Sequence, residues 1–137
     1  TADKSEFSAL SSYRESKFAQ MLMTRHLDKL HGDFLFTAAV HPGFVNSDLF
    51  YRRMPDGSRM LLKPIEWIGY IFGILKTPYK GADTSIWLSA EKEPIPSGKY
   101  WSERREREWP KAVENDTLST ELWDWSGKKV ASFLGEA

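Results

Sequence analysis

The sequence predicts an α/β fold organised around a parallel β-sheet with flanking helices, on three observations. The run Phe34 to Val40 (FLFTAAV) is apolar but for Thr37 and stops at His41-Pro42-Gly43; it reads as a strand buried on both faces, and such strands belong inside parallel sheets. Helical patterns precede and follow it, as a sheet covered by helices requires. The 137 residues suit one domain, and the apolar fraction of 41% is enough to build a core.

The elements follow in order. Ser12 and Glu15 have the spacing of a capping box, so a helix is expected to begin near them. Ala19, Leu22, Met23, His26, Leu27 and Leu30 then recur at three-to-four spacing, while Arg14, Gln20, Arg25 and Asp28 largely share the other side. His31 and Gly32 end this helix. After the strand, Phe44 to Lys63 carries Asn, Ser, Asp, Pro and Gly without a clean period and is expected to be a long loop with short helical turns. Pro64 suits the first turn of a helix, and Ile65 to Leu75 follows as a nearly wholly apolar segment. It is too short to span a bilayer, which takes about 20 apolar residues.

Gly81 to Ala90 reads as an amphipathic helix in which Ala82, Ser85, Ile86 and Ser89 form a narrow small-residue stripe for close packing. Gly98 to Trp101 reads as a short final strand, and the charged run Glu103 to Glu108 as a solvated loop or rim. Asp116 to Leu134 is expected to be a terminal helix with Leu118, Leu122, Trp125, Val130 and Phe133 turned inward. No internal repeat or low-complexity tract interrupts the pattern.

Composition excludes several classes of function. Lys plus Arg and Asp plus Glu both number 19, so no net field favours nucleic acid or anionic lipid. The absence of cysteine removes disulfides, thiolate metal sites and cysteine nucleophiles, and fits a reducing compartment. Thr1 to Phe7 lacks the basic-then-apolar order of a secretory signal. The expectation is therefore a protein that is not secreted, and is cytoplasmic or peripheral on an intracellular membrane. The lack of an initiator Met suits a chain cut from something longer. His26, His31 and His41 have no i,i+4 pairing or nearby carboxylate cluster, so they are expected to be structural and no metal site is expected. Asp48 reads as a turn residue, and the six tryptophans as core and interface.

The residues that carry chemistry open the first helix: Tyr13-Arg14-Glu15-Ser16-Lys17. Positions four apart share a helix face, so the Lys17 ammonium can stand near the Tyr13 phenol. A cation beside a phenol favours the phenolate, which makes such a pair able to exchange a proton near neutral pH. Alone, Tyr-x-x-x-Lys is a weak motif, since the spacing arises by chance in many helices. Its context is His41-Pro42-Gly43-Phe44-Val45-Asn46-Ser47 at the carboxyl end of the expected strand, where α/β sheets bind ligands.

Tyr13-x-x-Ser16-Lys17, an apolar helix and strand, and then Pro42-Gly-x-Val-x-Ser47 together resemble the short-chain dehydrogenase/reductase family. Further landmarks are similar to the tail of its retinol-dehydrogenase-like members. They are Lys76-Thr77-Pro78 with Gly81-Ala82, then Trp87-Leu88-Ser89, Ser97-Gly98-Lys99-Tyr100-Trp101 and Leu122-Trp123-x-x-Ser126. The resemblance implies the C-terminal part of a Rossmann-like doubly wound parallel sheet. The whole chain, 1–137, would be the catalytic and substrate-binding half of a single domain.

It implies hydride transfer between a nicotinamide cofactor and a carbon bearing oxygen. Tyr13 would be the proton donor or acceptor, and Lys17 would assist it and hydrogen-bond the nicotinamide ribose. Pro42, Gly43 and Val45 would line the nicotinamide, with Ser47 keeping a hydroxyl where Thr is more usual. NADP is favoured over NAD by the resemblance alone. Residues 44–76 would form the substrate lid, and their apolar content implies a lipophilic alcohol, aldehyde or ketone. The same segment could instead pack on a partner subunit, so homo-oligomer formation and membrane contact stay open.

Two family features have no counterpart here. None of Ser5, Ser8, Ser11 and Ser12 is nominated for the family's catalytic Ser, which lies on a strand before the Tyr helix, because they sit too close to Tyr13. The glycine-rich turn for the cofactor pyrophosphate is also missing, as no Gly precedes Gly32. The strand at Phe34 to Val40 would then find only the strand near Tyr100 to pair with and keep one edge open. The chain alone is therefore expected to be inactive, its dinucleotide-binding half being absent. The competing class is a non-catalytic interaction or scaffold protein derived from the same fold.

Overall fold

A computed structural model describes residues 9–46, 58–91 and 93–135. Ser47 and Asp48 lie outside the described residues, as does the rest of 47–57 within the expected lid. The elements are α1 (Ala9–His31), β1 (Ala38–Val40), β2 (Phe44–Val45), α2 (Ser58–Ile71), β3 (Leu75–Lys76), α3 (Pro78–Ala90), β4 (Lys99–Ser102), β5 (Arg105–Arg107), a 3₁₀ turn (Lys111–Glu114) and α4 (Asp116–Leu134). The chain is thus mixed α/β, with one three-stranded sheet of order β1-β4-β5 and a parallel pair, β2-β3. Among the described residues, β1 pairs with β4.

Two compact units emerge. The first holds the described residues up to Ala39, Pro96–Tyr100 and those from Glu108 onward; the second holds the described part of Val40–Ile95 and Trp101–Arg107. In the first, α1 packs on α4 and on the 3₁₀ turn, with Leu22 and Val113 as buried apolar contacts. Asp116, Ser119 and Trp123, at i, i+3 and i+7 of α4, face α1. Asp116 accepts from Arg25 and Lys29, Ser119 Oγ lies 3.4 Å from His26 Nδ1, and the Trp123 ring centroid lies 5.2 Å from that of His26. These contacts set the rotation of α4 about its axis. Leu118, Trp125, Val130 and Phe133 are consequently exposed rather than turned inward, and of the expected set only Leu122 is half-buried.

A polar knot centred on Asp28 seats β4. Ser97 Oγ and Thr37 Oγ1 donate to Asp28 Oδ1 at 2.5 and 3.1 Å, Thr37 N donates to Ser97 Oγ, and Gly98 N donates to Thr37 O at 2.9 Å. Gly98 has φ +68°, and a Cβ there would sit 2.0 Å from Asp28 Oδ2. The close approach of backbone to carboxylate therefore needs glycine.

The structure corrects several sequence expectations. Helix α1 begins at Ala9, so Ser12 and Glu15 lie inside it and form no capping box; Glu15 instead accepts from Ser11 Oγ at 2.7 Å. The strand is confined to Ala38–Val40, and Phe34, Leu35 and Phe36 are exposed. The reason is local: the backbone N–H groups of Phe34 and Leu35 both donate to His31 O, closing the helix C-terminus instead of joining a ladder. Pro64 lies within α2, not in its first turn. The carbonyl of Met60, deprived of its i+4 donor, belongs to an exposed residue where water can serve it. Helix α2 stops at Ile71, Gly73 turns at φ +69°, and Leu75 is in a strand.

In the second unit, Thr77 caps α3 by accepting from Lys80 N, with Pro78 at its first position. The packing face of α3 is Gly81 and Thr84 rather than Ala82, Ser85, Ile86 and Ser89, all of which are exposed. Gly81 decides this, because a Cβ there would meet Val45 Cγ2 at 2.4 Å. The charged run is a hairpin and not a loop. β4 and β5 join through Glu103 and Arg104 at φ +57° and +56°, the two positive values that a two-residue type I′ connection demands. All three β5 side chains are exposed, so their charge reported solvation while the backbone paired.

Candidate active site

Tyr13 and Lys17 sit one turn apart on α1, both exposed. Lys17 Nζ lies 5.8 Å from the centroid of the Tyr13 ring and donates to Gln20 Oε1 at 3.1 Å. The ammonium therefore stands over the ring, with further hydrogens available to a ligand. Ser16 Oγ donates back to Tyr13 O at 2.8 Å and stays with the helix backbone. The shared face predicted from the spacing is present.

The Pro42-Gly43 bend is built in the second unit. His41 N donates to Trp101 O, and Gly43 N donates to His41 Nδ1, both at 2.9 Å, so His41 shapes the turn. Gly43 adopts φ +81°, a value that only glycine takes without strain. Phe44 and Val45 then pair in parallel with Leu75 and Lys76, and Asn46 N donates to Lys76 O at 2.9 Å.

Residues outside the sequence-based nomination brace this bend. The Lys76 side chain runs across Gly43, its Cε and Nζ each 3.0 Å from where a Cβ would be. Lys76 Nζ bonds Glu103 Oε1 at 3.0 Å, and this ammonium holds the Glu103 carboxyl below the usual carboxylate range. Gly81 lets α3 close on Val45 from its own side. Next along the hairpin, Arg104 pairs with Asp83, which depresses the Asp83 carboxyl and raises the Arg104 guanidinium; Arg104 N donates to Thr84 Oγ1. A cavity of about 290 Å³ is lined by these charged residues and by Tyr79 and Lys80, and none of the nominated residues lines it. Lys76 and Gly81 were legible only as landmarks of the Lys-Thr-Pro-x-x-Gly stretch, since their bracing role depends on β3 lying beside β2.

Tyr13 and Lys17 belong to the first unit and Pro42, Gly43 and Val45 to the second. The first cluster offers an exposed phenol and ammonium, and the second a bend with an unsubstituted Cα. Among the described residues no group of three His, Asp or Glu could hold a metal ion, and no helix is long and apolar enough to cross a membrane.

A helix opening on Tyr-x-x-Ser-Lys, and a strand running into a braced Pro-Gly-x-Val bend, are features of the short-chain dehydrogenase/reductase family. Over most of its length the chain is similar to retinol-dehydrogenase-like members of that family. It is 35% identical over 130 residues to dehydrogenase/reductase SDR family member 13 of Bos taurus, a match covering 93% of this chain and 33% of the relative. It is 37% identical over 119 residues to retinol dehydrogenase 14 of Homo sapiens, covering 83% and 33%. It is 31% identical over 125 residues to polyprenol dehydrogenase of Homo sapiens, covering 88% and 36%. The chain thus spans about a third of the length of the curated relatives it matches. No family model matches it.

Proposed function

We propose that this chain supplies the acid/base and substrate-facing part of an NAD(P)-dependent oxidoreductase that interconverts an alcohol and a carbonyl on a lipophilic substrate. The observation that carries the reading is Tyr13 with Lys17 over its ring on an exposed helix face, in a chain whose relatives are named dehydrogenases and reductases. The nicotinamide, when bound, gives or takes the hydride at the carbon that bears oxygen.

Tyr13 Oη gives the proton to the carbonyl oxygen in reduction and takes it from the hydroxyl in oxidation. Lys17 is the fixed cation beside it and would donate to the nicotinamide ribose when the cofactor is bound. Pro42, Gly43 and Val45 would then line the ring, and Ser47 would offer a hydroxyl. Residues 44–76 form the substrate lid, with NADP as the favoured cofactor on family resemblance. Trp67, Ile68 and Ile71 of α2 are exposed, which suits an apolar substrate such as those in the names retinol and polyprenol dehydrogenase.

Replacing Tyr13 by Phe in the full native chain removes the proton while keeping the ring. Turnover is expected to fall about 10²- to 10⁴-fold, with NAD(P)H binding retained. Steady-state kinetics and NAD(P)H fluorescence titration measure the two, and near-normal turnover in Tyr13→Phe refutes the assignment.

A further inference from the structure

We infer that Asn46 is a positioning residue that couples helix α2 to the nicotinamide bend; this rests on the oxidoreductase reading above. Asn46 follows Val45 directly and is held from two sides. Its backbone N donates to Lys76 O at 2.9 Å, extending the pairing of the bend with β3. Its side-chain Nδ2 donates to Tyr70 Oη at 2.8 Å and to Glu66 Oε2 at 3.3 Å. An amide nitrogen has two hydrogens, so both bonds can form together. Tyr70 and Glu66 are one turn apart on α2.

One side chain therefore ties α2 to the residue next to the bend. Moving α2 breaks the bonds to Tyr70 and Glu66 or drags Asn46, and with it Val45. A substrate that settles α2 thereby settles the bend, and linkage requires the converse: cofactor on the bend favours the settled position of α2. The backbone bond to Lys76 holds Asn46 independently of α2, so cofactor binding by itself does not need the bridge. The bridge carries only the mutual tightening of the two ligands.

The test uses the full native chain and a dead-end complex that cannot turn over: NADPH (or NADH, whichever binds) titrated by its fluorescence with and without saturating 1-octanol. In the unmodified protein, octanol is expected to tighten reduced cofactor about 3- to 10-fold. Tyr70→Phe, which deletes one hydroxyl, and Asn46→Leu, which keeps the size of the side chain, are each expected to bring that factor toward one. Their cofactor Kd without octanol stays within about two-fold. The double variant is expected to match Asn46→Leu, because that substitution already removes the bonds to both Tyr70 and Glu66. A merely structural role would shift cofactor binding equally with and without octanol.

An unchanged factor in Tyr70→Phe, or no tightening in the unmodified protein, overturns the coupling while leaving Tyr13 chemistry intact. Should Asn46→Leu fail to fold, Tyr70→Phe decides alone. Failure of the unmodified protein to bind either reduced cofactor sinks the oxidoreductase reading and the coupling with it.

Discussion

Helix α1 carries charge along much of its length and yet buries Leu22 and His26 in the first unit, where it packs on α4. Helix α2 is the more apolar of the two, and it leaves Met60, Ile65, Trp67, Ile68 and Ile71 exposed. The contrast teaches that apolar content shows how much surface asks to be covered, while coverage depends on a partner whose own contacts hold it in place. α4 is such a partner, because Asp116, Ser119 and Trp123 fix how it faces α1.

Three perturbations sharpen the comparison. The largest effect is expected where α1 meets β4. Gly98→Ala adds a methyl 2.0 Å from Asp28 Oδ2 at φ +68°, so strain of about 1–2 kcal/mol joins overpacking of about 1–3 kcal/mol. Denaturant unfolding should report a loss of about 4 kcal/mol in sum; a loss below about 1 kcal/mol would show that the Asp28 knot yields freely. The second perturbation sets the two helices side by side. Leu22→Ala, at 2% exposure, is expected to cost about 3 kcal/mol, and Ile68→Ala, at 50%, under about 0.5 kcal/mol. Equal costs by the same measurement would break the distinction between the helices.

The smallest effect concerns pH. Lys29 and then Arg25 pull the Asp116 carboxyl down to about 2. A depressed carboxylate favours the folded state above its ordinary value, and that contribution is lost as pH falls through the folded value. The melting temperature should therefore decline between pH of about 4 and about 2, and less steeply in high salt, since Asp116 is exposed. In Asp116→Asn this part of the decline should vanish; a profile identical to that of the unmodified protein would remove the ion pairs from the account of α4.

Much of the local geometry of the candidate site was legible from spacing. Tyr13 and Lys17 share a face because four residues make about one helical turn, and Pro42-Gly43 bends because proline and glycine admit few alternatives there. Asn46 was read only as part of the bend motif, because its bonds go to residues of α2 that no local pattern connects to it. The strand was read four residues too long for the converse reason. Phe34 and Leu35 have strand-like side chains, but their N–H groups were already spent on the carbonyl of His31.

The sequence by itself determined that helices precede and follow the strand, the bend at Pro42-Gly43 and the pairing of phenol with ammonium. These depend on neighbours within a turn or two, which chain connectivity supplies. Tertiary structure alone decided which face of α3 packs, how α4 is rotated and what braces the bend. Each of those rests on contact between residues distant in sequence, such as Gly81 with Val45 and Lys76 with Glu103, where the available space and charge are set by a second segment.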